Sequence, residues 1–174
     1  DPIPHAETQE EWEKAGENQQ PAWCYYDNDP ANGEKYGKLY NWYAVNDPRG
    51  LAPGGWHVPS DEEWTGLTDY LGGNDVAAGK LKSTSGWVDY NGNPANGTNS
   101  SGFSGIPGGS RSMLSAEYGG NSFGGIGDES SWWSSSYYDY GAYSRGLGAA
   151  VEFVTPCGAD CGKERGLYVR CVRD

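Results

Sequence analysis

The chain has 174 residues and a formal charge of −12, from 24 acidic against 12 basic side chains. That length fits one domain. That charge sets nucleic acid and anionic membrane aside as partners, because each would be repelled, and no run of about 18 apolar residues is present to span a bilayer. Hydrophobic residues make up only 36%, but 8 Trp and 13 Tyr offset this, since each buries a large area and keeps a polar handle. The 28 Gly and 10 Pro point to many turns and little helix.

The first predicted element is a helix over Thr8–Ala15. Thr8 and Glu11 have capping-box spacing, and Gly16 supplies the stop. Tyr36–Val45 is aromatic and reads as a strand. A second helix follows Pro59, over Ser60–Leu71. Ser60 and Glu63 repeat the box, and Trp64, Leu67 and Leu71 form one apolar stripe, ended by Gly72 and Gly73. From Val88 to Gly127 the chain is rich in Gly, Asn and Ser and too long for an ordinary connection. Its scattered apolar residues, Phe103, Ile106, Met113, Leu114, Phe123 and Ile126, read as anchors for a large loop region. Three further strands are expected, at Trp132–Tyr138, Ala149–Thr155 and Gly166–Arg173.

The order of segments is specific. PAWCYYDNDPANGEKYGKLYNWYAVND precedes GLAPGGWHVPSDEEWTGLTDYLGG. AGKLKSTSGW, NGTNSSGFSGIPGGSR, WWSSS and LYVRCVRD follow. Together they closely resemble the Fibrobacter succinogenes major paralogous domain over nearly the whole chain. The block GWHVPSDEEW also resembles an element of formylglycine-generating-enzyme relatives and of hypervariable phage-type receptor proteins. The resemblance implies an α+β, C-type-lectin-like fold. That fold would have two short helices, a twisted and mostly antiparallel sheet, and a long loop region, in one domain over 1–174. Members of the family usually open with a strand placed before Asp1. Without it, the edge of Gly166–Arg173 would be uncovered, inviting strand addition by another copy or partner; trimming is the plainer account, and loops often cap such edges.

Four cysteines, an even count, suit an oxidising compartment. Cys24 and Cys171 lie in two blocks that resemble the family pattern, and a bond between them would staple an early segment to the last strand. Cys157 and Cys161 close a short local loop and read as a second disulfide. No basic or His-rich setting surrounds them to lower a thiol pKa. His5 and His57 are the only histidines, and neither has a partner at zinc spacing. No catalytic constellation emerges, so an enzyme of the formylglycine-generating type is the remote alternative. Asp27, Asp29, Asn32 and Glu34 gather oxygen ligands around a turn. They are a candidate structural calcium site, beside the plainer reading of a solvated acidic turn.

Tyr137, Tyr138, Tyr140 and Tyr143, with Arg145, are the candidate ligand-binding residues. Tyr among Gly and Ser has the composition of a paratope, and in hypervariable relatives of the fold this late region forms the binding face. The competing reading is that these tyrosines pave a glycine-rich sheet. The expected function is a non-catalytic module at the bacterial cell surface or outside the cell, binding glycan or protein. A structural subunit of an extracellular assembly is the alternative.

Overall fold

A computed structural model describes residues 3–112, 122–149, 155–157 (backbone only) and 161–174. The architecture is α+β. Five helices are α1 (Gln9–Glu17), α2 (Pro30–Tyr36), α3 (Trp42–Val45), α4 (Asp61–Tyr70) and α5 (Asn74–Leu81). The strands are β1 (Trp23–Cys24), β2 (Leu39–Tyr40), β3 (Trp56–His57), β4 (Gly108–Arg111), β5 (Phe123–Ile126), β6 (Glu129–Tyr138), β7 (Gly141–Gly148), β8 (Thr155–Cys157) and β9 (Val172–Arg173). The main sheet runs β5-β4-β6-β7-β8, with β4 and β6 parallel and the other pairs antiparallel. Two short pairs, β1-β2 and β3-β9, flank it. No helix among the described residues is long and apolar enough to cross a membrane.

The two predicted helices form where their capping boxes place them. Thr8 and Ser60 each accept from the third residue on, and Glu11 and Glu63 reach back to the caps. Three helices were not expected. Asp29 caps α2 through the Ala31 N–H at 2.9 Å, with Pro30 pre-set at its first position. The aromatic run expected as a strand over Tyr36–Val45 is interrupted instead: α2 ends at Tyr36, β2 takes two residues, and α3 begins at Trp42. Asn41 forces that break. Its buried side-chain oxygen accepts from Ala22 N–H (3.0 Å) and Ala44 N–H (3.1 Å), while its amide donates to Gln20 C=O (2.8 Å). The expected loop region contains β4 and β5; Phe123 is buried in the core, Ile126 is exposed, and Met113 and Leu114 lie outside the described residues. So does most of the strand expected at Ala149–Thr155.

Tryptophan builds the core and ties it together. Indole N–H groups donate across element junctions: Trp12 to Glu164 C=O (3.0 Å), Trp42 to Ser134 C=O (3.0 Å), Trp87 to Gly105 C=O (2.9 Å) and Trp133 to Tyr40 C=O (2.7 Å). Each therefore buries an apolar ring without leaving an orphaned donor. Phe103 meets Trp64 and Trp132 edge-on, joining the loop region to α4 and β6.

The last predicted strand is not one strand. Gly166 exchanges both backbone bonds with Arg111, and Tyr168 bonds Ser131 and Trp133 on that same side. Leu167 exchanges both of its bonds with Tyr40 on the other side, and only Val172–Arg173 forms a ladder, with β3. The edge expected to be uncovered is thus filled at residues 166–168 by β2 on one side and by β4 and β6 on the other. Gly166 is required there, because a Cβ would lie 2.8 Å from the Arg111 Cβ.

Candidate functional site

The β6–β7 hairpin carries the four candidate tyrosines. At its root the ladder is regular, with Trp132 opposite Arg145 and Trp133 opposite Ser144. Register then slips between Trp133 and Tyr137. This bulge is the WWSSS motif at work. Trp42 bonds Ser134 C=O, the Ser135 N–H donates to Pro59 C=O (2.9 Å), and the Ser136 hydroxyl accepts from Asp61 N–H (3.0 Å). Three small hydroxyl residues let the strand leave its partner and bond α3 and α4. Pairing resumes with Tyr137 opposite Ala142 and Tyr138 opposite Gly141.

The tip has two faces. Tyr138 and Tyr143 form a half-buried edge-to-face pair, centroids 5.3 Å apart. On the other face Tyr137 leans on the buried Trp42 ring at 4.9 Å, and Lys163 Nζ lies 5.0 Å from both ring centroids. Tyr137 is 60% exposed, and Tyr140, in the turn, is 89% exposed. Beneath lies a second small core of Trp42, Trp133, Ala142, Cys161 and Leu167, separate from the main one. Lys163 and Trp42 carry no motif that sequence reading recognises; only folding brings them to Tyr137.

Arg145 does not join the four tyrosines. It is 6% exposed and lies under α4. Its guanidinium pairs with the Asp61 carboxylate and donates to Thr65 Oγ1 (3.2 Å) and to Ser144 C=O (3.2 Å). The expectation of a ligand contact is corrected to that of a buried arginine paired with the half-buried Asp61, fastening α4 to β7. The alternation of β7 accounts for this, since Tyr143 and Arg145 share a face and α4 covers its inner half.

The calcium candidates are dispersed in role. Asp29 caps α2, and the Asn32 amide donates to Tyr26 C=O (3.1 Å). Asp27 sits in a left-handed turn conformation, and Glu34 is exposed on α2. Among the described residues no three His, Cys, Asp or Glu side chains converge on a metal position. The expected bond between Cys24 and Cys171 is also corrected, for both are free thiols. Cys24 is fully buried in β1 beside Arg111, whereas Cys171 lines a cavity with Trp64, Leu67 and Phe103. Burial pushes both thiols up. Cys161 is disulfide-bonded, its partner lying outside the described side chains.

Both histidines are engaged. His5 stacks on Trp23 at 3.8 Å with rings parallel to within 2°. His57 meets Asp174 through Nδ1 (2.7 Å) and Glu63 through Nε2 (2.8 Å), which joins β3, the end of β9 and the α4 cap. A neutral imidazole has one N–H and satisfies only one of these carboxylates. The bonds to Asp174 and then Glu63 therefore raise its pKa.

No curated protein and no solved structure matches the chain. The family model for the Fibrobacter succinogenes major domain matches residues 2–173. With capped helices, WWSSS bulge and C-terminal RCVR segment all inside that span, the chain belongs to the Fibrobacter succinogenes major domain family.

Proposed function

We propose that this chain is a non-catalytic, extracellular recognition module of the bacterial surface, binding glycan or protein through the tip of the β6–β7 hairpin. One observation carries the reading. Tyr137 and Tyr140 are left in solvent at the end of a hairpin whose root is locked into the core. Two χ angles give tyrosine a large contact area at small entropic cost, and the packed base keeps the platform in place before a ligand arrives. We read the fold as C-type-lectin-like. The two box-capped helices, the long section between α5 and β6, and a terminal segment that returns to the centre of the sheet support this.

The test is binding to an array of glycans and matrix proteins, in calcium and again in chelator. Saturable binding lost in Tyr137→Ala or Tyr140→Ala supports the reading. Loss in chelator makes the Asp27–Glu34 turn a metal candidate. Binding that survives both substitutions moves the site elsewhere. A well-folded chain that binds nothing but gains mass with concentration is a structural subunit.

A further inference from the structure

We infer that the hairpin tip selects a carboxylated saccharide, a uronate, with Tyr137 as the stacking face and Lys163 as the partner of the carboxylate. This rests on the reading of the tip as a recognition surface. Arg49 and Arg145 pair with Asp47 and Asp61. Arg111 is buried against Gln9, and Lys80 and Lys82 donate to backbone carbonyls. Lys163 differs. Its carbonyl accepts the Trp42 N–H at 2.8 Å, which fixes the base of the side chain. Among the described residues its ammonium meets two ring faces and no carboxylate.

A ring attracts an ammonium without cancelling its charge. The contact therefore holds a whole positive charge beside an exposed aromatic face. The neighbouring Glu164 carboxylate accepts the Tyr43 hydroxyl at 3.2 Å, and no ion pair joins it to Lys163 among the described residues. An apolar sugar face covers a tyrosine ring, and a carboxylate on the same ring reaches the ammonium at its border. A flexible acidic peptide supplies the charge but no rigid face. The net charge of −12 opposes a long polyanion, but at physiological salt charges more than about 8 Å away are largely screened, so a single carboxylate answers mainly to its nearest neighbours.

Calorimetry with oligogalacturonate and with its methyl ester separates the outcomes. The acid form should bind about tenfold tighter than the ester, the size of one charge-assisted hydrogen bond. Lys163→Gln should erase that preference while keeping ester binding, and Tyr137→Ala should abolish both. An unchanged circular dichroism spectrum controls for folding. Equal affinity for acid and ester, both lost in Tyr137→Ala, overturns the uronate inference and leaves the recognition surface standing. Binding of polyglutamate or a matrix protein without any saccharide also overturns the inference alone. If neither saccharides nor proteins bind, both readings fall.

Discussion

The root and the tip of the β6–β7 hairpin are one ladder with opposite fates. At the root, Trp133 and Ser144 face each other in complete burial, and even the charged Arg145 has been drawn under α4. At the tip, Tyr137 and Tyr140 stay in water although nothing in their chemistry prevents burial. The divider is the serine bulge, which hands the strand from its β-partner to α3 and α4. Polar character therefore does not mark the functional residues here, for the arginine is structural and the exposed aromatics are the candidates.

Substitutions should widen or erase that contrast. Trp133→Ala removes a fully buried indole and its bond to Tyr40 C=O, and should cost about 3–5 kcal/mol by chemical denaturation. Arg145→Ala removes the buried partner of the half-buried Asp61 carboxylate and should cost about 2 kcal/mol, whereas Arg145→Met should recover part of the loss. If both arginine variants were neutral, the Arg145–Asp61 pair would have no part in holding α4. Ser60→Ala removes one half of the α4 capping box, at about 1 kcal/mol.

The His57 clamp should reveal itself through pH. Its native pKa is raised, so its stabilisation is complete below the unfolded value near 6.5 and disappears as pH climbs through the native one. The stability gap between the wild type and His57→Gln should therefore narrow with rising pH. A gap that is constant from about pH 5 to pH 9 would mean that the ring only packs. Smallest of all, Tyr140→Ala should change stability by less than about 0.5 kcal/mol while weakening ligand binding. A large loss of stability there would return the tip to the scaffold.

Local chemistry made part of this fold readable. The capping boxes at Thr8 and Ser60 act within four residues, so the sequence states them directly. Asp29-Pro30 carried an equally local helix start, but its oxygens were read as metal ligands. Tyr36–Val45 failed for another reason. Its β-propensity is real, yet Asn41 answers to Ala22 and Gln20 from a distant segment, and tertiary bonding overrides propensity. The tyrosine cluster was legible because its members are neighbours on one hairpin. Lys163 and Trp42 were not, since cation–π contacts between distant segments leave no periodic trace.

The segment from Lys163 to Tyr168 bonds α1, α3, β2, β4 and β6 within six consecutive positions. It occupies the middle of the structure although it comes late in the chain. During synthesis the earlier elements must therefore wait, with a central slot vacant, until this stretch leaves the ribosome. Its partners lie far off in sequence, and such closure is slow. Folding of this domain should thus not be complete before residue 168 has been made, with the slot exposed until then as the place where a chaperone or a stray strand would bind first.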